Sequence, residues 1–114
     1  MEVGYHNRQP VEDSAFRYFG NLVELAKWAD FLVAATPGGA ATKHLVNAEV
    51  LNALGPKGFV VSVGRGTVVD TTALIDALKA GRIAGAGLDV LEGEPKLPPQ
   101  LPDLLQMDNV IVTP

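Results

Sequence analysis

Val60-Val61-Ser62-Val63-Gly64-Arg65-Gly66-Thr67-Val68-Val69-Asp70 is the stretch on which the fold turns. With Phe59 before it, the run to Val63 is β-branched, apolar and of strand length, and Gly64 and Gly66 flank a single arginine where that strand must stop. In open α/β sheets ligands bind outside the carboxyl ends of the strands, so a cation delivered to such an end faces a site and not the core. Glycines on both sides let a ligand approach the backbone, and a guanidinium fork can grip a carboxylate through two parallel bonds. An α-keto or α-hydroxy acid suits Arg65; on the pattern alone, a helix-capping or salt-bridging arginine is the alternative.

Outward from this stretch, strand and helix patterns alternate. Upstream, Asn21 caps a helix expected through Ala29, with Leu22, Leu25, Ala26 and Ala29 facing a core and Trp28 as a packing anchor. Phe31 to Ala35 is continuously apolar, the pattern of a strand buried on both faces of a parallel sheet. Asn47 caps the next helix, with Val50, Leu51 and Leu54 inward and Gly55-Pro56 ending it. Downstream, Asp70 caps a helix running through Ala80, striped by Leu74, Ile75 and Leu78, with Gly81 suited to close it. Ile83 to Val90 is a strand with Gly85 and Gly87 where a helix or cofactor comes close. Lys96 to Leu105, with Pro98, Pro99 and Pro102, reads as a rigid surface segment, and Val110-Ile111-Val112 as a last short strand. Two further short strands are expected at Glu2 to Tyr5 and Phe16 to Phe19. The alternation predicts the α/β fold class with a parallel sheet.

Composition narrows the function classes. The chain has 114 residues, 47% of them apolar and 19% charged, as in a soluble globular protein. A net charge of −4, with nine scattered Lys and Arg, argues against nucleic acid or an anionic membrane as partner. With no cysteine and two histidines, thiolate metal sites and a His-rich site are excluded, so no metal is expected. The amino-terminal residues carry no apolar signal core, and no apolar run reaches the roughly 18 residues that span a bilayer, so the expected location is cytoplasmic.

The loop His6-Asn7-Arg8-Gln9-Pro10 bears on the cofactor. In a dinucleotide-binding fold the end of the second strand meets the adenosine ribose, where an acid normally bonds the 2′-hydroxyl of NAD. Here His6, Asn7 and Arg8 stand in its place. An acid would repel a 2′-phosphate, whereas Arg8 can pair with it through charge-assisted hydrogen bonds worth roughly 1.5–3 kcal/mol each. The loop therefore predicts NADP(H) over NAD(H), with Asn7 and Arg8 as contacts, the alternative being a solvated loop charge. Thr36 and Pro37, at the end of the apolar strand that closes at Ala35, would lie beside the same cofactor in a doubly wound sheet.

Ser62 to Asp70, followed by Gly85-Ala86-Gly87-Leu88-Asp89-Val90 and Glu92-Gly93-Glu94-Pro95, closely resembles the D-isomer-specific 2-hydroxyacid dehydrogenases, nearest their glyoxylate/hydroxypyruvate reductase branch. The likeness runs over essentially the whole chain. It implies a Rossmann-like doubly wound parallel sheet, incomplete here, with residues 1–114 as one partial NAD(P)-binding domain, and an oxidoreductase moving hydride between NADP(H) and a small 2-keto or 2-hydroxy acid such as glyoxylate or hydroxypyruvate. Arg65 would hold the substrate, and Glu94 would orient a catalytic histidine and raise its pKa. Val63, Gly64, Arg65, Thr42 and the Thr36-Pro37 loop would line the cofactor, and Asp89 would accept the nicotinamide amide. His44 is expected to be structural or solvated. The family usually forms dimers through this domain.

Two parts of the family pattern lie outside these residues. A Gly-x-Gly-x-x-Gly loop with its strand would come just before Met1, and the acid/base histidine directly after Pro114. The expectation is an internal piece of a longer enzyme, inactive alone. In the strand order 3-2-1-4-5-6 the first strand is central, so its removal would expose two inner edges and make the isolated piece unstable, aggregating or atypically paired. The rival reading is a non-catalytic dinucleotide-sensing protein of the corepressor kind, which turnover on a panel of 2-keto acids would discriminate. A related enzyme acting on formate or phosphite is a third.

Overall fold

In the computed structural model, residues 2–7, 12, 15–35, 42–89, 102, 104 and 106–113 are described. Helices start where the sequence supplies an oxygen for their unpaired amides. Asn21 Oδ1 accepts from Val23 N (2.8 Å) and Glu24 N (3.4 Å) to open α1, Leu22–Trp28. Asn47 Oδ1 accepts from Val50 N (3.1 Å) to open α2, Ala48–Leu54, which ends at Gly55 with φ 88°. Asp70 Oδ1 accepts from Ala73 N (3.1 Å) to open α3, Thr71–Lys79. α3 closes at Gly81, φ 70°, with Gly81 N donating to Leu78 O and Arg82 N to Ala77 O (2.8 Å). That paired arrangement satisfies two orphan carbonyls and needs a residue free of the Cβ penalty at positive φ.

Among the described residues the strand pairs are parallel, as expected. β1, Gly4–Tyr5, pairs with β2, Arg17–Tyr18. β3, Phe31–Ala34, pairs with β4, Phe59–Ser62; β4 pairs with β5, Gly85–Leu88; and β5 pairs with β6, Val110–Val112. The order is β1-β2 in one sheet and β3-β4-β5-β6 in the other. A cavity of about 830 Å³ separates them, with Glu2 to Asn7 on one side and Asp30 to Ala35 on the other. In the doubly wound order 3-2-1-4-5-6, β2 and β1 take the first two places and β3 to β5 the last three, so this cavity falls at the central place. β1, β2 and β5 are shorter than the sequence pattern, because a strand extends only as far as its neighbours carry the ladder.

The core joins α1, α2 and α3 to one face of the larger sheet, through Leu51, Leu74, Val60 and Leu88 among others. The expectation that β3 is buried on both faces is corrected: Leu32 and Ala34 are buried, but Phe31 is 59% and Val33 57% exposed. The register aligns Phe31 with Phe59, and Val33 with Val61, Gly87 and Ile111, in one apolar face that nothing among the described residues covers. Phe31 and Phe59 stack there, centroids 5.3 Å apart. An apolar residue at every position fits a two-sided strand whether or not the second covering layer is present, which is why the pattern could not separate the cases.

Trp28 is the anchor expected of it, its ring 5.2 Å from that of Phe19. A Cβ at Gly4 would stand 2.7 Å from the Phe19 ring and 3.0 Å from Trp28, so β1 lies directly on this pair. At Gly85 the close neighbours among the described residues are the Asn109 carbonyl (2.6 Å from where a Cβ would stand) and the Phe59 ring, and not a helix, while Gly87 has Val61 at 4.0 Å. Of the two positions described in segment 96–105, Pro102 is exposed as expected of a surface stretch, whereas Leu104 is fully buried, which corrects the surface reading there.

Candidate active site

The carboxyl ends of β4 and β5 gather the residues singled out by sequence. Past Ser62, Val63 N and Gly64 N both donate to the Ala34 carbonyl (3.0 and 3.1 Å), turning the chain over the end of β3. Arg65 follows in extended conformation, φ −97° and ψ 143°, and its side chain is exposed. Its carbonyl accepts from Val68 N (3.1 Å), closing the single 3₁₀ turn Gly66–Val68. Among the described residues the ion pairs are Lys27 with Glu24 and His44 with Asp70, and neither involves Arg65. An exposed guanidinium outside those pairs is available to an anion.

A second segment braces this loop. His44 N donates to Thr67 O (2.8 Å), Val46 N to Val68 O (3.0 Å) and Asp70 N to Val46 O (3.0 Å), so the turn at Thr42 to His44 runs beside Gly66 to Asp70. Thr42 is half-buried there, its carbonyl accepting from Leu45 N. His44 takes φ 52°, and its Nδ1 lies 3.7 Å from Asp70 Oδ2, which fits the structural part expected of it. Both partners of that pair are partly exposed, so it fixes geometry more than it stabilises.

At the end of β5, Asp89 N donates to Ser62 O (2.9 Å). The exposed Asp89 carboxylate accepts from the hydroxyl of Thr113, whose own N donates to Leu88 O (2.9 Å). Sequence reasoning missed Thr113. The signal was the pairing of Leu88 with Val112, which sets the next residue of each strand side by side. It also missed Ser62, whose Oγ is buried with no hydrogen-bond partner among the described residues.

At the end of β1, His6 Nδ1 lies 2.7 Å from the Phe19 carbonyl, and Tyr18 Oη donates to the Asn7 carbonyl (3.0 Å). Asn7 itself is exposed and, like His6, lines the cavity that Val33 to Ala35 bound from the other side. Thus Val63, Gly64, Arg65 and Asp89 share adjacent strand ends, the turn that carries Thr42 is joined through His44 and Val46 to Thr67 and Val68 just past Arg65, and Asn7 lines the cavity. Arg8, Thr36, Pro37 and Glu94 lie outside the described residues.

Among the described residues no three His, Cys, Asp or Glu side chains are grouped to hold a metal ion, and no helix is long and apolar enough to cross a membrane. The polar groups at this edge do suit a dinucleotide. Asp89 offers an acceptor for an amide, Arg65 a cation, and residues 3 to 7 present no carboxylate to a phosphate.

The family model described as "D-isomer specific 2-hydroxyacid dehydrogenase, NAD binding domain" matches residues 1–114. Hydroxyphenylpyruvate reductase of Plectranthus scutellarioides is 43% identical over 112 residues, 98% of this chain and 35% of that protein. The crystal structure of an NADPH-dependent glyoxylate/hydroxypyruvate reductase from Sinorhizobium meliloti, in complex with NADP and malonate, superposes with a TM-score of 0.92 at 49% identity, over 99% of this chain and 34% of that one. An NAD-complexed D-isomer specific 2-hydroxyacid dehydrogenase from Lactobacillus delbrueckii ssp. bulgaricus gives 0.90 at 30% identity, over 99% of this chain and 38% of that one. The chain thus spans about a third of the length of these relatives.

Proposed function

The chain belongs to the D-isomer-specific 2-hydroxyacid dehydrogenase family, within its NAD-binding domain, and on that premise we propose that it forms the nucleotide-binding side of a reductase of small 2-keto acids, glyoxylate or hydroxypyruvate, that prefers NADP(H). The observation that carries this reading is the exposed Arg65 at the carboxyl end of β4, one strand from Asp89 and in no ion pair among the described residues. The cofactor supplies the hydride when bound.

Arg65 grips the substrate carboxylate and keto oxygen, holding the carbonyl where hydride can reach it and stabilising the charge that develops on oxygen. The backbone at Val63 and Gly64, pinned to Ala34, gives the ligand a fixed floor. Asp89, oriented by Thr113, would offer an acceptor to the nicotinamide amide of the bound cofactor. Asn7 and Arg8 would hold a 2′-phosphate, and Thr36, Pro37 and Thr42 would line the cofactor. Glu94 orients the acid/base histidine expected beyond Pro114. A cytoplasmic homodimer goes with this reading, and a net charge of −4 supports the exclusion of nucleic acid and anionic membrane partners.

The test is NADPH and NADH oxidation by the protein at its full natural length over glyoxylate, hydroxypyruvate, hydroxyphenylpyruvate and 2-ketogluconate, with formate and phosphite tested in reverse. Turnover of the two smallest keto acids, faster with NADPH, is expected. Tight dinucleotide binding with no turnover on any of them refutes the reductase.

A further inference from the structure

Arg65 sits in a loop that its own sequence leaves loose. Gly64 and Gly66 stand on either side of it, and glycine samples backbone conformations closed to other residues. The structure holds this loop from both ends. On one side, Val63 N and Gly64 N donate to the Ala34 carbonyl (3.0 and 3.1 Å). On the other, His44 N donates to Thr67 O (2.8 Å), Val46 N to Val68 O (3.0 Å) and Asp70 N to Val46 O (3.0 Å), and Val46 and Val69 form a parallel bridge. This second anchor has a buried footing, since Val46, Val68 and Val69 all belong to the core.

His44, where the second anchor begins, is the one non-glycine residue among those described with a positive φ, 52°. A side chain with a Cβ stays in the left-handed region only where its surroundings over-determine it, and such residues gather at functional sites. Here the backbone amide is bonded to Thr67 O, and the imidazole Nδ1 lies 3.7 Å from Asp70 Oδ2. Asp70 is fixed in turn, its Oδ1 accepting from Ala73 N (3.1 Å) and its carbonyl from Leu74 N (2.9 Å) at the start of α3. The strained turn therefore fastens the loop that carries Arg65 to the rigid end of a helix.

We propose that His44 and Asp70 are positioning residues for Arg65. The pair keeps the turn at His44 in its left-handed form, and that turn, through Thr67 and Val68, fixes where the guanidinium meets the substrate acid. The inference rests on the reading of Arg65 as the group that grips the substrate. Misplacing a reacting group by about 1 Å costs on the order of 10²-fold, and a loosened loop that still visits the right geometry should cost about tenfold.

His44→Ala deletes the imidazole and keeps the strain, whereas His44→Asn deletes the imidazole but tolerates positive φ. Asp70→Asn keeps an oxygen for the Ala73 amide, so α3 stays capped, and changes the group that faces His44. In the full-length protein, kcat/KM for glyoxylate with NADPH should fall about tenfold in His44→Ala and several-fold in Asp70→Asn, while the NADPH dissociation constant stays within about twofold. His44→Asn should recover most of the loss. Each substitution is then repeated in Arg65→Ala. Because the pair acts through the guanidinium, its effect should vanish there, whereas a merely structural role lowers activity by the same factor with and without Arg65. Equal losses in the two backgrounds, or no loss in either His44→Ala or Asp70→Asn, would overturn the proposal and leave the substrate reading of Arg65 standing. Should His44→Ala not fold, Asp70→Asn decides by the same comparison. If Arg65→Ala alone leaves kcat/KM unchanged, the substrate reading falls and the positioning role falls with it.

Discussion

Replacing Arg65 with alanine separates ligand binding from folding, because this side chain does almost nothing for the fold. It is exposed, its backbone is ordinary extended chain, and no described residue pairs with its guanidinium. The one bond it makes in the loop, from Val68 N, uses its carbonyl and survives substitution. Stability should therefore change by less than about 0.5 kcal/mol. On the ligand side, a guanidinium making two charge-assisted bonds to the reacting acid loses roughly 1.5–3 kcal/mol for each. Together they amount to about 3–6 kcal/mol, or on the order of 10²–10⁴ in kcat/KM. Lysine restores the charge but not the fork, and Arg65→Lys should fall between the two. The assay is steady-state NADPH oxidation with glyoxylate, alongside the NADPH dissociation constant and the thermal midpoint. The affinity for NADPH should change little. A kcat/KM within about fivefold of wild type would remove the carboxylate from Arg65, and a large fall in the midpoint would make the residue structural after all.

Three other outcomes follow from the packing. Ser62→Ala removes a buried hydroxyl that has no partner among the described residues, and should raise stability by about 1 kcal/mol, a few degrees in Tm; a loss instead would mean that the hydroxyl is bonded through water. Gly85→Ala pushes a methyl to 2.6 Å from the Asn109 carbonyl and should cost about 1–3 kcal/mol in a denaturant titration, whereas Gly87→Ala, with Val61 at 4.0 Å, should cost far less; equal costs would contradict this packing. The isolated 114 residues, with one apolar sheet face that no described residue covers and the described strands divided between two sheets, should melt broadly or aggregate. A sharp, reversible transition in a monodisperse monomer would contradict that expectation.

What could be read from the sequence was what is local. Asn21, Asn47 and Asp70 cap their helices because a side-chain oxygen needs only the amides two or three residues on, and Gly81 closes α3 for an equally short-range reason. The Arg65 loop was legible because two glycines and a cation at the end of an apolar run have few other uses. What escaped depended on partners distant in the chain. The Asp89–Thr113 contact spans 24 residues and the His6–Phe19 bond 13, and each exists only once the strand register is set. The open face of Phe31 and Val33 escaped because a fully apolar strand says what it can bury, not what is there to bury it. The close neighbour of Gly85 is likewise a matter of register, since the Asn109 carbonyl reaches it from the residue before β6.

The division of the sheet has a consequence for how unfolding is distributed over the molecule. β1 and β2 make a two-stranded unit leaning on α1 through Phe19 and Trp28, whereas β3 to β5 are laced by two full ladders. Such a unit opens in a separate, lower-energy excursion, and its amides should exchange with solvent well before those of Val60 or Ala86. A dinucleotide held at both Asn7 and Asp89 would span the two units, so that every excursion of the outer one would have to break half of the ligand's contacts. At a hundred times the dissociation constant such a ligand adds about 2.7 kcal/mol, most of it visible as slowed exchange at β1 and β2.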